Sequence, residues 1–263
     1  MADTHNRPEV PTILGIHAHP DDLEILCGGT LALLSRTNCK LVLATMTGGD
    51  CGSQELSREE IAQVRKQEAA NAAEKIGADY HCLEFLDLGI FNNDESRKRV
   101  TELIRRVKPN VVITSSPEDY HCDHEATSRL VEDACFSSVV PNYKTDQWDP
   151  ADVLEELPWL YFADPIGGTD HLGREIPPAF AINISEVMDE KLDMLACHVS
   201  QREWLRAIHG MDDYLNSTRD FVAKTGAKFG VEYAEGYRQR IGHPYPSDGY
   251  LQDLLSSALL KQS

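Results

Sequence analysis

Between Thr12 and Phe136 the chain alternates short apolar runs with stretches of helical periodicity, and that rhythm admits few folds. The runs are Thr12–Ile16, Lys40–Thr47, Tyr80–Leu86 and Asn110–Thr114. They are short and mostly unbroken, as expected of strands covered on both faces. Ser57 to Ile76 and Asp94 to Val107 instead repeat apolar residues at helical spacing, and His124 to Phe136 reads as a further helix. Ser57 and Glu60 form a capping box, and Gly77 stops the helix that they start. Successive strand–helix–strand steps imply right-handed crossovers and a parallel sheet with helices on both faces. The first strand is expected at its centre. Tyr80–Leu86, interrupted by polar residues, is expected at its edge.

After Ser137 the rhythm breaks. Residues 138–158 read as a surface excursion, followed by strands at Trp159–Ala163 and Ala179–Ile184. The Gly/Pro-rich loop between them, Asp164 to Pro178, has the length of a functional lid. Helical stretches are expected over Ser185–His209 and Asp212–Ala227, then a segment from Val231 to Arg238 and a tail. The expected fold class is therefore α/β. A Rossmann-like core spans about residues 10–136, a C-terminal α+β extension spans about 137–263 and walls the site, and together they make a single domain over 1–263.

Composition removes several function classes. With 43 acidic against 25 basic residues, a formal charge of −18, the chain lacks the basic footprint of a nucleic-acid binder. The same excess disfavours an anionic membrane surface. No apolar stretch approaches the ~18 residues of a membrane span, and the polar start carries no secretory h-region. Seven scattered cysteines without a CxxC pair read as reduced thiols of a cytoplasmic protein.

Two clusters carry the chemistry: Ala18-His19-Pro20-Asp21-Asp22 after the first strand and Tyr120-His121-Cys122-Asp123-His124 after the fourth. In an open parallel sheet the C-terminal strand ends share one edge, and ligand crevices form there. Distant clusters are thereby brought face to face. Together they offer imidazoles and carboxylates, the ligands of a catalytic zinc that keeps one position for water. A structural alternative stands beside each. In it Asp22 is a helix cap and His19 a polar loop residue, and Asp123 is the cap of the fourth helix. The joint placement of both clusters on strand ends favours a metal-dependent hydrolase. The glycines at 48, 49 and 52 lack GxGxxG order and shape a turn. The other histidines, His5, His17, His81, His171, His198, His209 and His243, read as surface or packed residues rather than ligands, with His171 in the long loop and His198 beside Ser200-Gln201 the nearest to functional contexts. Trp148, Trp159 and Trp204 read as core or interface, with Trp148 also a candidate wall of a sugar site.

On these motifs the sequence resembles the LmbE-like, or PIG-L, family of zinc-dependent N-deacetylases. The matching elements are AHPDD at 18–22, Gly28-Gly29-Thr30, Thr47-Gly48-Gly49-Asp50, Arg65 to Glu68, His121 to His124, His198 to Gln201 and Tyr233-Ala-Glu235. The resemblance implies one Zn2+ per chain held by His19, Asp22 and His124, with other divalent transition metals admitted by the same donors. It implies Asp21 as general base, His121 as oxyanion stabiliser or acid, and Asp123 as support behind the ligands. Asp50 stands where the family usually has Glu, and Arg65 matches a substrate-contact position; both are candidate substrate-binding residues. For Arg65, pairing with Glu60 or Glu68 along its own helix is an equal alternative. Cys122 replaces a common Pro and is expected to stay off the metal.

The implied substrate is a small N-acetylated amino sugar or conjugate of N-acetylglucosamine type, and family resemblance alone allows a homo-oligomer. Two alternatives differ in class. One is an amidase acting on other N-acyl sugar or thiol conjugates; the other is a noncatalytic, metal-stabilised sugar-binding protein. Asp21 favours an enzyme, because binding alone needs no base beside a ligand carboxylate.

Overall fold

The computed structural model describes residues 7–202 and 213–261 of the chain. Strand β1 spans Thr12–His17, β2 Lys40–Thr47, β3 Asp79–Phe85, β4 Val111–Thr114 and β5 Trp159–Ala163. Neighbouring strands among these five pair in parallel, in the order β3-β2-β1-β4-β5, with β1 in the middle and β3 at the edge. Successive side chains leave a strand on opposite faces. Ile13, Leu41, Leu43, Val111 and Ile113 enter one core, while Leu14, Ile16, Val42, Val112 and Leu160 enter another. Helix α1 (Asp22–Ser35) supplies Leu23, Leu26 and Leu31 to the first core. Helices α3 (Asp94–Val107) and α4 (Cys122–Ser138) supply Val100, Ile104, Leu130 and Val131 to the second. Burial on both faces explains why these strands read as apolar runs rather than as an alternation.

Helix α2 (Arg58–Glu74) begins with the expected capping box. The Glu60 N–H donates to Ser57 Oγ at 3.3 Å, and the Ser57 N–H to Glu60 Oε2 at 3.0 Å. Beyond its end Gly77 takes φ +66°, a left-handed conformation that favours glycine. Because Ser57 is exposed, Ser57→Ala is expected to cost only about 1 kcal/mol. A lower urea midpoint with an unchanged slope checks this.

The C-terminal half extends the same sheet. Strands β6 (Phe180–Asn183), β7 (Ala234–Gln239) and β8 (Leu259–Lys261) complete an eight-stranded order ending β5-β7-β6-β8, through antiparallel pairs. The strands expected at 159–163 and 179–184 both form, but β7 lies between them. Among the described residues this part carries α5 (Met188–Leu195), α6 (Asp213–Phe229) and α7 (Tyr250–Leu254), and residues 199–202 are helical as well. The helix expected over Ser185–His209 is shorter. A 3-10 turn covers Ser185–Val187, α5 ends at Leu195, and residues 203–209, including Trp204 and His209, lie outside the described residues, as does His5. Among the described residues no helix is long and apolar enough to cross a membrane.

This topology positions the site. The chain leaves β1 into α1 on one face of the sheet and leaves β4 into α4 on the other. A crevice opens between the C-terminal ends of adjacent strands whose connections diverge in this way. Both histidine–aspartate clusters border it.

Candidate active site

Pro20 fixes its own φ and biases His19 to extended backbone, so the chain leaves β1 in a set direction. Asp21 then takes φ 94° and ψ −26°, and Asp22 becomes the first residue of α1. Asp21 occupies the N-cap position but makes no side-chain cap bond. The Asp22 carboxylate turns back instead, and its Oδ2 accepts from the His19 backbone N–H at 2.8 Å. Neither aspartate is engaged in capping, so the structural alternative for this cluster fails. In the second cluster His121, not Asp123, caps α4; its Nδ1 accepts the Asp123 N–H at 3.2 Å.

Both Asp22 oxygens face imidazoles, with His17 Nδ1 also 3.7 Å from Oδ2. His19 Nδ1 lies 3.3 Å from Oδ2, and His124 Nε2 lies 3.3 Å from Oδ1. One donor atom from each of His19, Asp22 and His124 falls within 4.8 Å of the others. The outer ring nitrogens meet carboxylates: His19 Nε2 is 3.0 Å from Asp123 Oδ2, and His124 Nδ1 is 3.1 Å from Asp119 Oδ1. A carboxylate there takes the ring N–H and turns the other nitrogen's lone pair inward, toward Asp22. The donor set fits a divalent transition metal, since arms of ~2.0–2.1 Å place tetrahedral neighbours roughly 3.3 Å apart. Burial opposes ionisation of Asp22, yet His124, His17 and His19 hold its carboxyl well below the usual range. Burial pushes the adjacent Asp21 carboxyl up, against the pull of the Arg65 guanidinium. The carboxyls of two neighbouring aspartates are thus driven in opposite directions.

His19, Asp21, Asp22, His121 and His124 all line one cavity of about 730 Å³, within the ~300–1,000 Å³ of small-molecule sites. Leu88 after β3, Ile166 after β5 and Phe221 of α6 give it an apolar flank, with Ser217 and Thr218 beside them.

This geometry has relatives. Residues 14–135 match the family model described as PIG-L: GlcNAc-PI de-N-acetylase. A probable N-acetyl-alpha-D-glucosaminyl L-malate deacetylase 2 from Bacillus cereus is 32% identical over 200 residues, covering 73% of this chain and 84% of that protein. The chain belongs to the PIG-L family. A diacetylchitobiose deacetylase from Thermococcus kodakarensis is 28% identical, covering 88% of this chain and 83% of its own. A 4-oxalmesaconate hydratase from Pseudomonas putida is 25% identical, covering 74% and 76%. The solved N,N'-diacetylchitobiose deacetylase from Pyrococcus horikoshii superposes with a TM-score of 0.75 at 25% identity, covering 90% of this chain and 88% of that one.

Two expected substrate contacts in this PIG-L chain have different surroundings. Asp50 does not border the cavity. The loop after β2 turns at Gly49, and the Asp50 carboxylate is captured by Arg58 and by the Asp87 N–H, the latter at 2.6 Å. Arg65 does border the cavity, but Glu60 and Glu68 are not its partners. Its Nη2 donates to the Pro20 carbonyl at 2.7 Å, its Nη1 to the Gly49 carbonyl at 3.3 Å, and Nη2 lies 3.6 Å from Asp21 Oδ2. Glu60 serves the Ser57 cap, and Glu68 accepts from the Ser200 N–H and hydroxyl. Gly49, at φ +74°, is needed here, because a Cβ would overlap the Arg65 guanidinium.

Other expectations divide similarly. His198 is buried with its Nε2 3.3 Å from Glu24 Oε2, whereas His171 is exposed near Glu125. Trp148 is fully exposed and Cys122 is exposed; neither lines the cavity. Sequence reasoning missed Asp119, whose only sequence trace is an acidic residue two positions before His121. It also missed Tyr214, whose hydroxyl donates to Asp21 Oδ2 at 2.5 Å; His17, read as surface or packed, is buried with its Nδ1 3.0 Å from Ser115 Oγ.

Proposed function

We propose that this chain is a zinc-dependent N-deacetylase that removes the acetyl group from an N-acetylated amino sugar of N-acetylglucosamine type. The carrying observation is the adjacent pair Asp21 and Asp22: one carboxylate sits between two inward-facing imidazoles, and the other borders the same cavity without joining them. The deacetylase relatives support the reaction and the sugar. His19, Asp22 and His124 would hold the cation, zinc on this reading; iron, cobalt or nickel suit the same donors. When bound, such a cation polarises an acyl oxygen and lowers a water's pKa from 15.7 toward ~7.

The chain's own groups supply the remaining steps. Asp21 accepts the proton of the attacking water as its oxygen bonds to the acyl carbon, and its raised carboxyl suits that task. Asp21 then returns the proton to the sugar nitrogen as the C–N bond breaks, giving acetate and a free amine. His121 Nδ1 accepts the Asp123 N–H, so the neutral ring carries its proton on Nε2. Burial, with His19 and His124 nearby, keeps that ring neutral by lowering its pKa. It is thereby an N–H donor for the negative charge that develops on the acyl oxygen. Asp123 fixes His19 and is itself held by the Leu88 N–H at 2.7 Å. The free cysteines suit a reducing, cytoplasmic setting.

The test is release of amine and acetate from N-acetylglucosamine, diacetylchitobiose and N-acetylglucosaminyl conjugates. Activity is expected to vanish on chelation and to return with one equivalent of zinc. Turnover of long-chain acyl amides alone, hydration of 4-oxalmesaconate without amine release, or sugar binding with no turnover would each overturn the assignment.

A further inference from the structure

We propose that Tyr214 is a positioning residue for Asp21, and that through it helix α6, a wall of the cavity, is part of the catalytic unit. The proposal rests on the reading of Asp21 as the base.

Asp21 is a non-glycine residue in left-handed backbone, at φ 94°. Such conformations persist only where the surroundings over-determine them. Its own helix makes no use of the carboxylate, so the carboxylate's direction is set by other elements. Among the described residues two groups reach it, and they pull differently. The Tyr214 hydroxyl donates to Oδ2 at 2.5 Å, and Arg65 Nη2 stands 3.6 Å from the same oxygen. A phenol occupies one oxygen and leaves the other available to the cavity. A guanidinium favours a bidentate pair that engages both oxygens. Tyr214 therefore keeps Asp21 from closing onto Arg65, a geometry in which the base would be withdrawn from the attacking water.

The anchor for Tyr214 is firm. It is buried at the start of α6, and residues three, four and seven positions on, Ser217, Thr218 and Phe221, line the cavity. These spacings form one helical face. Phe221 and Val222 belong to the core that packs under β1 and β4. One helix thus carries both the group that directs the base and a wall of the substrate space. No local sequence pattern joins Tyr214 to Asp21, which lies 193 positions earlier.

Tyr214→Phe keeps the ring and its packing and removes only the hydroxyl. It is expected to lower kcat by about 10–100-fold, the scale of a roughly 1 Å misplacement of a catalytic group. KM, zinc content by elemental analysis and Tm are expected to stay at the parent values. In the Asp21→Asn background the same change is expected to add no further loss, because the two residues act as a unit. Parent kcat in Tyr214→Phe, or losses that multiply in the double variant, would overturn the proposal while leaving Asp21 as base. A fall in zinc content or Tm that accounts for the lost activity would also overturn it. An active Asp21→Asn enzyme would remove the base assignment itself, and this proposal with it.

Discussion

Asp21→Asn is expected to lower kcat by about 10²–10⁴-fold, the typical worth of a general base, while the protein keeps its metal. The two halves of that result come from different atoms. The inward-facing donors are His19 Nδ1, His124 Nε2 and the Asp22 oxygens, and none belongs to Asp21. The amide keeps an oxygen able to accept from Tyr214 and stays within reach of Arg65, so the loop from Pro20 to Asp22 retains its supports. What disappears is the group able to take a proton from water. KM is expected to change little, since the side chain acts on the reacting water and not on the sugar. Elemental analysis beside steady-state kinetics checks both halves. Loss of metal in this variant would mean that Asp21 and Asp22 had been assigned in reverse.

The fold around these residues was largely legible in the sequence because its core strands are buried on two faces. Lys40–Thr47, Trp159–Ala163 and the helix Asp94–Val107 form with the expected boundaries, and the other core elements differ by a few residues at their ends. In each, the local pattern and the packing agree. The C-terminal strands were less legible. β7 carries Glu235, Arg238 and Gln239, and β8 spans only Leu259–Lys261. Neither has a pattern that identifies it alone; each is a strand because β6 presents an edge to pair with.

The site divides along a similar line. The two clusters that hold His19, Asp22 and His124 were legible because they follow strand ends, which are readable. The choice of these three came from the family resemblance, and the structure brings one donor atom of each within 4.8 Å of the others. Asp50 and Arg65 were placed by motif position, whereas their surroundings are set by long-range geometry. Arg58, the first residue of the next helix, takes Asp50, and the carbonyls of Pro20 and Gly49 take Arg65. Asp119 and Tyr214 carry no periodic or motif signal, because their roles depend only on which atoms they meet. The lid expected from the Asp164–Pro178 loop is reduced, among the cavity-lining residues, to Ile166.

Glu235→Leu is expected to destabilise the fold by about 3–5 kcal/mol, the usual cost of leaving one member of a buried ion pair without its partner. Glu235 and Lys191 are both fully buried, and Lys191 Nζ donates to Glu235 Oε1 at 2.6 Å. The pair does more than neutralise itself. Glu235 accepts from the Gly29 N–H at 2.9 Å and the Thr30 N–H at 2.7 Å, while Lys191 donates to the carbonyls of Glu24 and Ile25 at 2.8 and 2.7 Å. All four groups lie on α1, the helix that begins with Asp22. The close approach that makes this reach workable depends on Gly29, where a Cβ would lie 2.7 Å from the Ile184 side chain. An apolar replacement of both partners can be neutral at many buried pairs. Here it still deprives these α1 groups of their side-chain partners, so the double variant Lys191→Met with Glu235→Leu is expected to remain destabilised. For a chain of this size the single change corresponds to a fall in Tm on the order of 10 °C. Thermal unfolding of both variants decides the matter: a double variant as stable as the parent would reduce the pair to charge neutralisation and leave α1 held by its apolar face alone.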